Sequence, residues 1–541
     1  MPVSPIRTSV LIVGGGLVGL SAGLFLQRLG VPFILVEKNE GVSPLPRARG
    51  IHLRTMELFR QVGVEDAVKA AAAAAWKQGA FGGARRGETL INAESIVDVA
   101  TMRSKIAAAG ASPSSFGACP QTLIEPIVRQ HLETRGGNVR FGHELVSFAE
   151  SGSGDVVVAT VRAKDGLETT IEANWLLAAD GGRSFVRRQL GIGMSETPAP
   201  QHLVNIFFRA DLAQAVEGRT FSQCEIANEK VRGLFLAMNN TDKWSFHLEY
   251  DPAQGPPADS ALPDLVRAAI GLADVDIEIL SHGRWSTGVS IAERYRVGRA
   301  FLCGDAAHLM PPWGGFNATT GIADAHNLAW KIAATLRSEA GPALLDSYES
   351  ERRPLAVRNG HQALLRSDFD ARFGMETPAN RGFFADLLDS GALLLRHRYL
   401  DANMSSAGDT SELVAHLQAQ TGTRFPHAWI RHNDQRISTL DLFGDSYVLL
   451  AGPKASVQAS SRPSLDSRTP VTYVVGKDFA FVDDEDSWYT LTCLPDDGVV
   501  TVRPDGFVQE RSDDALDQGI RRFRKNTTRS VSSKPSARCN A

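Results

Sequence analysis

Two hydrophobic patterns alternate near the start of the chain. The segment "SVLIV" (9–13) is a continuous apolar run rich in β-branched residues, which is typical of a buried parallel strand. The segment "LVGLSAGLFLQRLG" (17–30) has apolar residues at helical spacing, and "PFILVEK" (32–38) is a second buried run. Together they predict a strand–helix–strand unit with parallel strands and a right-handed crossover.

Later segments contain further helical patterns, followed by alternating strand patterns and a polar stretch. Further helices are predicted at 54–76 and 122–135, and the Gly/Arg-rich segment 77–88 predicts a loop. Residues 202–251 contain alternating strands, which indicate a second, separate sheet. A polar stretch that begins near residue 400 sets off a smaller terminal module, and the tail from Arg521 carries seven Lys or Arg and no acid. Such a basic tail is expected to be disordered.

Charge and cysteine content exclude several classes of protein. The 541 residues carry a formal net charge of −4, so we expect no nucleic-acid or anionic-membrane partner. The five cysteines form no CxxC pair and their number is odd, which predicts a reducing cytoplasm without a disulfide framework. No metal-ligand motif and no apolar run of membrane-spanning length is present, so neither a metal nor a membrane is expected.

The first candidate for chemistry is a glycine-rich turn between the first strand and the first helix. Gly14-x-Gly16-x-x-Gly19 has the spacing of a dinucleotide-binding turn, in which glycine permits tight turning, close phosphate approach and helix packing. The helix start offers free N–H groups to the phosphates. Glu37 ends the second strand, where an acid would bind ribose hydroxyls. The alternative is a turn without a ligand, and this pattern leaves NAD and FAD both open.

Two further strands end in an aspartate. Asp180 follows "WLLAA", and Asp305, after Gly304, follows "AFLC". Each aspartate alone is typical of a turn or a helix N-cap. With the glycine turn, "DGGRSFVRR" (180–188) and "GDAAHLMPP" (304–312) resemble the fingerprints of the class A flavoprotein aromatic monooxygenases. The resemblance extends over separated blocks of residues 1–360.

The resemblance implies FAD as cofactor and assigns residues to it. Asp305 would hold the ribityl chain, Pro311 and Pro312 would form a wall beside the isoalloxazine, and a helix starting near Thr319 would point at the flavin pyrimidine ring. A helix start favours the anionic reduced flavin. The implied cofactor residues are Gly14, Gly16, Gly19, Glu37, Arg47, Gln121, Arg129, Asp180, Gly304, Asp305, Pro311, Gly315, Thr319 and Thr320. A surface ion pair is the alternative for Arg129.

One segment departs from the family pattern. Where relatives read Gly-Phe-Gly-Ala-Asn-Thr-Gly or similar, this chain reads "GFNATTG" (315–321). Asn317 therefore replaces a glycine, and Thr319 replaces the usual asparagine. Because asparagine tolerates positive φ, the turn is expected to survive the first change.

The implied fold is α/β, with a Rossmann-like FAD-binding domain of the para-hydroxybenzoate hydroxylase type, a mostly antiparallel substrate domain and a thioredoxin-like C-terminal domain. The FAD-binding domain is expected at 1–75, 110–193 and 296–400, and the substrate domain at 76–109 and 194–295. The thioredoxin-like domain is expected at 401–525 and a basic tail at 526–541. The terminal module contains no CxxC, so we expect it to serve packing or dimerisation.

The implied activity is hydroxylation of an aromatic, polycyclic polyketide-type phenol or quinone. NADPH or NADH would reduce FAD, O₂ would add at C4a, and the hydroperoxide would deliver one oxygen atom. Arg49 is the candidate catalytic residue, because it lies where phenol hydroxylases carry a substrate-side acid; as an arginine it would orient a phenolate or quinone oxygen.

Two other functions stay open at this point. A Baeyer–Villiger oxygenase on a polyketide ketone would use the same cofactor chemistry, and a flavin-binding subunit without turnover would share the same fold. The chain is expected to act as a monomer or a homodimer in the cytoplasm.

Overall fold

The structure is a computed structural model. It describes residues 4–42, 48–76, 81–98, 100–101, 111–199, 201–400, 411–456, 470–483 and 486–513. The predicted tail at 526–541 and Arg47 lie outside these ranges. The chain divides into two compact units. The first comprises 1–108, 114–329 and 346–390, and the second comprises 109–113, 330–345 and 391–541.

The first unit is built around a mixed sheet of eight strands in the described residues, whose central strands are parallel. Its main strand order is Arg296–Val297, Ala300–Leu302, Glu168–Ala178, Ile6–Val13, Phe33–Glu37 and Asn138–Phe141. The strands His143–Glu150 and Val157–Ala163 extend it as an antiparallel hairpin. The apolar run at 9–13 is central because both its neighbours are parallel strands, with Val10 paired to Phe33 on one side and Trp175 on the other.

Helices of this unit supply much of the remaining core. Their bounds are Leu17–Arg28, Leu53–Gln61, Glu65–Ala75, Gln121–Thr134, Phe185–Gln189, Leu262–Ile270, Phe316–Leu336, Ala343–Leu365, Phe369–Arg372 and Arg381–Phe384. The helix Phe316–Leu336 continues into residues assigned to the second unit. The prediction of one helix over 54–76 is wrong. The chain turns at Gly63, whose φ of 77° ends the first helix and allows a second to begin at Glu65.

The second sheet of the first unit has seven strands within the described residues. Their order is Glu278–Ser286, His202–Arg209, Lys243–Glu249, Arg232–Ala237, Gln223–Ala227, Ala84–Gly87 and Glu94–Val97. All pairs are antiparallel except the one between Gln223–Ala227 and Ala84–Gly87. The predicted loop at 77–88 is therefore wrong for residues 84–87, which form a strand through this long-range pairing.

The two faces of this sheet are both apolar. One face packs under the helix Leu262–Ile270 around Trp244 and Phe246. The other face carries a cluster that includes Leu234, Trp313 and Phe369. A small sheet of Met194–Thr197, Val289–Ala292 and His308–Leu309 also belongs to this unit.

The second unit contains a four-stranded mixed sheet in the order Val471–Val474, Val448–Ala451, Val499–Val502 and Val508–Arg511. Smaller sheets join Trp429–His432 with Gln435–Ser438 and Ala480–Phe481, and His397–Tyr399 with Ser411–Leu413. Its short helices are Ser390–Leu395, which starts at the unit boundary, and Trp488–Thr492. Across the described ranges, no helix combines the length and apolar character needed to cross a membrane.

Candidate cofactor and substrate site

The glycine turn has the geometry that its spacing predicts. Gly14 has φ 110°, and a Cβ there would lie 2.2 Å from the Ala179 carbonyl oxygen. A Cβ at Gly19 would lie 2.0 Å from the Gly14 carbonyl oxygen, so the helix packs directly on the turn. Gly16 is different: the nearest atom to its Cβ position is the Glu125 Oε1, at 3.8 Å. Gly14 and Gly19 are required by packing, whereas Gly16 leaves the backbone accessible to a ligand.

A carboxylate that sequence reasoning missed lies at the start of this first helix. Glu125 is buried, and its Oε1 accepts hydrogen bonds from the Leu17 backbone N–H at 3.0 Å and from Gln121 Nε2 at 2.6 Å. It satisfies one of the free N–H groups of the helix start. Gln121 and Glu125 are one helical turn apart on Gln121–Thr134, and this i, i+4 spacing was the available signal.

Two more of the predicted cofactor residues, Glu37 and Arg129, lie near the turn. Glu37 Oε2 accepts a hydrogen bond from the Gly15 N–H at 2.7 Å, so the acid at the strand end contacts the glycine turn directly. Arg129 lies over the Phe141 ring at 3.9 Å, and that ring comes within 3.0 Å of a Cβ built at Gly15. Arg129 also forms the ion pair considered from sequence. Its partner is Glu133, at 2.8 Å, and both side chains are partly exposed.

The Asp180 turn retains a free acceptor. Asp180 Oδ2 accepts a hydrogen bond from the Val186 N–H at 3.1 Å, while its Oδ1 is buried and has no partner among the described residues. Arg187 donates to the carbonyl oxygens of Gly182 and Ala306, each at 2.9 Å. One guanidinium thus joins the loop after Asp180 to the loop after Gly304.

Asn317 forms a hydrogen bond with Asp305, and its backbone conformation was predicted wrongly. Asn317 donates from Nδ2 to Asp305 Oδ1 at 2.9 Å, and it lies inside a helix that begins at Phe316. The expected helix start near Thr319 is therefore wrong, as is the argument that Asn317 needs to tolerate positive φ. The left-handed residues are Gly314 and Gly315, at φ 86° and 69°. These two glycines form the turn that precedes the helix.

Asn317 is the first member of a buried polar chain. Its Oδ1 lies 3.0 Å from His308 Nδ1, and His308 Nε2 lies 2.8 Å from Asp324 Oδ2. Arg352 donates from Nε to Asp324 Oδ1 at 2.7 Å. Burial raises the pKa of the Asp324 carboxyl, but the charge of Arg352 and the contact with His308 outweigh it, so that pKa stays below its usual range. Asp324 is therefore ionised at neutral pH.

The helix start adds further polar groups. Thr320 Oγ1 donates to the Phe316 carbonyl oxygen at 2.8 Å and accepts from Asn359 Nδ2 at 3.0 Å. Thr319 is buried, and its Oγ1 has no partner in the described part of the chain. Pro311 is buried and Pro312 is exposed, so the two prolines of the expected wall differ in environment.

These groups fit an FAD molecule by their chemistry. Gly16 leaves room for a pyrophosphate, Glu37 and Asp305 are acceptors for hydroxyl groups, and the Asp180 Oδ1 and Thr319 Oγ1 atoms are buried without partners among the residues described. A buried acceptor without a partner is costly, and a bound ligand with hydroxyl donors would remove that cost.

Arg49 lies against the second sheet and not at the glycine turn. Its Nη1 donates to the carbonyl oxygens of Ser222, at 2.6 Å, and Ala237, at 3.3 Å, and its guanidinium lies 5.6 Å from the centre of the Phe81 ring. Burial lowers the pKa of Arg49 to about 10, so the side chain remains a cation at neutral pH.

Arg372, His247 and Trp285 were not identified from the sequence, whereas Trp313 was considered as a residue that either shapes the pocket wall or only packs; the charge of Arg49 acts on both His247 and Arg372. The Arg372 guanidinium lies 3.8 Å from the centre of the Trp313 ring, and burial lowers the pKa of Arg372 to about 9. The His247 ring lies 5.3 Å from the Trp285 ring and 6.3 Å from the Trp313 ring, centre to centre. These residues come from four separate elements, and no motif in the sequence connects them.

Family models match nearly the whole chain. Residues 7–363 match the model described as FAD binding domain, and residues 418–529 match the model described as aromatic-ring hydroxylase, C-terminal. The chain belongs to the FAD-dependent aromatic-ring hydroxylases. The predicted family, α/β fold class, enzyme class and FAD cofactor are confirmed, with NADPH or NADH as the family's reductant.

Curated relatives and a solved structure agree with this family. A 4-methyl-5-nitrocatechol 5-monooxygenase from a Burkholderia species is 36% identical, with 94% of this hydroxylase and 95% of the relative covered. A tetracenomycin A2 monooxygenase-dioxygenase from Streptomyces glaucescens is 36% identical, with 93% of both chains covered. The crystal structure of a ternary complex of aklavinone-11 hydroxylase with FAD and aklavinone has a TM-score of 0.82 and 33% identity, covering 96% of this chain and 99% of that one.

Proposed function

We propose that this hydroxylase transfers one oxygen atom from O₂ to a polycyclic, polyketide-type phenol or quinone. The observation that carries the proposal is the cluster of His247, Trp285 and Trp313 beside the buried cations Arg49 and Arg372. Flat aromatic walls suit a fused-ring substrate, and two buried cations favour an electron-rich oxygen such as a phenolate or quinone carbonyl. Relatives named for tetracenomycin A2 and aklavinone support the same class of substrate.

Each part of the chain has a role in this proposal. The glycine turn, Glu37, Asp180 and Asp305 would hold FAD, and Pro311, Gly315, Thr319 and Thr320 would line its ring. Gln121 and Arg129 would lie on its phosphate side. Bound FAD would supply the reductive activation of O₂, after reduction by NADPH or NADH. The aromatic cluster would orient the substrate ring and exclude water.

The domain roles, oligomeric state and location belong to the same proposal. Residues 1–75, 110–193 and 296–400 would form the FAD-binding domain, 76–109 and 194–295 the substrate domain, and 401–525 a thioredoxin-like domain. The enzyme would work as a monomer or homodimer in the cytoplasm, where NAD(P)H is available. The buried thiols of Cys119, Cys224 and Cys303 are in keeping with a reducing compartment.

The test is turnover of the FAD-loaded enzyme with hydroxyanthraquinones under ¹⁸O₂. We expect NAD(P)H oxidation that rises with substrate and a product that carries one labelled oxygen on an intact ring system. A label taken from water would overturn the proposal. Ring expansion seen by NMR would establish a Baeyer–Villiger oxygenase instead, and absence of turnover across the substrate series would favour a flavin-binding subunit without activity.

A further inference from the structure

Two buried polar groups in the aromatic cluster have no protein partner within the described residues. They are the Nδ1 atom of His247 and the Nε1–H of Trp313. Both side chains are more than nine-tenths buried, at 6% and 5% exposure. A buried donor or acceptor left without a partner costs free energy, so such pairs are expected where a ligand completes the hydrogen bonds.

Three elements bring these two groups together. His247 lies on the strand Lys243–Glu249 and pairs with Leu234, which belongs to the apolar cluster on the same face. Trp313 follows Pro311 and Pro312 and packs into that cluster. Arg372, at the end of the helix Phe369–Arg372, lies on the Trp313 ring and fixes its orientation.

The neighbours of Trp313 already have partners of their own. Arg372 donates to Gln223 Oε1 at 2.6 Å and to the Arg366 carbonyl oxygen at 2.9 Å. Arg49 donates to backbone carbonyl oxygens. The contrasting case is Trp244 on the opposite face of the sheet, whose Nε1–H donates to the Ala210 carbonyl oxygen at 3.0 Å. Within this cluster, the fully buried side-chain atoms that lack a partner among the described residues are therefore His247 Nδ1 and Trp313 Nε1.

The two groups differ in what they bind. Indole N–H is a donor only, so Trp313 requires an acceptor such as a carbonyl oxygen. Burial, together with the charges of Arg49 and Arg372, lowers the pKa of His247 to about 3, so its imidazole is neutral at pH 7. In the tautomer with its proton on Nε2, the neutral imidazole presents Nδ1 as an acceptor for a hydroxyl group.

We infer that His247 and Trp313 are the specificity-determining pair, which recognises a phenolic hydroxyl and a quinone carbonyl that lie on one fused-ring substrate and are not hydrogen-bonded to each other. Trp313 donates to the carbonyl oxygen, and His247 accepts from the hydroxyl. The inference rests on the proposed function and narrows its substrate class to hydroxyquinones. The short distance between the two rings, 6.3 Å between centres, places both groups within reach of one ring system.

The test is a set of ligand affinities measured by flavin absorbance changes on the oxidised, FAD-loaded enzyme. The ligands are 2-hydroxyanthraquinone, which has both groups with the hydroxyl free to donate, 9,10-anthraquinone, which lacks the hydroxyl, and 2-anthrol, which lacks the carbonyls. The variants are Trp313→Phe and His247→Phe, which keep an aromatic ring. Trp244→Phe is the matched control, because it removes a buried indole N–H that is already bonded to protein.

We expect Trp313→Phe to lower the affinity for the two quinones by about five- to thirtyfold and to leave the affinity for 2-anthrol unchanged. His247→Phe should lower the affinity for 2-hydroxyanthraquinone and 2-anthrol by a similar factor and leave that for 9,10-anthraquinone unchanged. Trp244→Phe should alter none of the three affinities. Equal losses across all three ligands in either variant would overturn the recognition pair while leaving the proposed function intact. Failure of the wild-type enzyme to bind any of the ligands would overturn both.

Discussion

At the scale of single residues, Asn317 shows how the fold accommodates an asparagine where the family pattern has a glycine. The side chain bridges Asp305 and His308, and through His308 it reaches the buried Asp324 and Arg352. A glycine at this position could make none of these hydrogen bonds. The structure therefore explains the departure from the family pattern as a gain of side-chain contacts, since the backbone here is helical and needs no special conformation.

The Asp305 carboxylate gives the first prediction. In Asp305→Ala, the proposed acceptor for the ribityl hydroxyls is lost, and with it about 1.5–3 kcal/mol of binding free energy. FAD affinity should fall by about one to two orders of magnitude when apoprotein is titrated with FAD and followed by flavin fluorescence. Asp264→Ala, which removes an exposed carboxylate from another helix, is the control and should bind FAD normally. Normal affinity in Asp305→Ala would contradict the assignment.

His247 gives a prediction about pH. Its pKa in the folded protein, about 3, lies below the ordinary value of 6.5, so the unfolded chain binds a proton first as pH falls. The contribution of neutral His247 to stability is complete above pH 6.5 and is lost progressively from pH 6.5 towards pH 3. Between pH 6.5 and pH 5 this loss is about 2 kcal/mol.

The measurement is urea unfolding of the FAD-saturated protein at pH 7 and pH 5. His247→Phe should lose less unfolding free energy between these two values than the wild type does, because it has no imidazole to protonate. The expected difference is about 1–2 kcal/mol. An identical loss in both proteins would mean that His247 is solvated or charged in the native state.

At the scale of elements, local patterns predicted some boundaries and missed others for identifiable reasons. The strand Ile6–Val13 and the helix after it were predictable, because a continuous apolar run and a glycine turn are local signals. The strand Ala84–Gly87 was not, because its partner Gln223–Ala227 is distant in sequence. The start of the helix Phe316–Leu336 was misplaced because Gly314 and Gly315, and not Asn317, take the left-handed conformations.

The residues of the candidate site likewise fall into those that the sequence predicted and those that it did not. Glycines and aspartates at strand ends were readable, since each belongs to a short motif with a fixed spacing. The grouping of His247 and Arg372 with Trp313 was not readable, because a strand, a loop and a short helix bring them together only in the folded protein. Substrate contacts in such a fold depend on tertiary structure, whereas cofactor contacts follow local sequence.

The prediction at this scale concerns the effect of the helix Phe316–Leu336 on the flavin midpoint potential. If its first turn faces the flavin, a negative charge there lowers the midpoint potential and a positive charge raises it. Ala318 lies in that first turn and is partly exposed. In water, a unit charge about 4–14 Å from the reduced flavin anion interacts with it by about 0.3–1 kcal/mol, which corresponds to about 5–20 mV for a two-electron couple.

We therefore expect Ala318→Glu to lower and Ala318→Lys to raise the flavin potential by about 5–20 mV each, with FAD still bound. Dye-equilibration titration measures both shifts. The same two substitutions at Val357, an exposed position on the helix Ala343–Leu365, should leave the potential unchanged. Shifts of the same sign in both Ala318 variants would indicate distortion of the site and not the effect of charge.

At the scale of the whole molecule, the second unit is assembled from distant parts of the chain. Residues 330–345 belong to the same compact unit as the chain from residue 391 onwards. Asp505 lies at the centre of this assembly. Its Oδ2 accepts from Trp330 Nε1 at 3.0 Å, its Oδ1 accepts from Arg503 Nε at 3.0 Å, and all three side chains are buried.

This arrangement predicts that the "RPDG" segment (503–506) stabilises the unit and has no part in catalysis. Asp505→Ala removes the carboxylate that balances the buried charge of Arg503, and breaking such a pair costs about 3–5 kcal/mol. Asp505→Asn keeps an acceptor for Trp330 and should cost less. Asp497→Ala, at an exposed position of the same unit, should leave stability unchanged. Thermal unfolding followed by circular dichroism ranks the three variants. A midpoint for Asp505→Ala equal to that of Asp497→Ala would mean that the C-terminal unit does not depend on this ion pair.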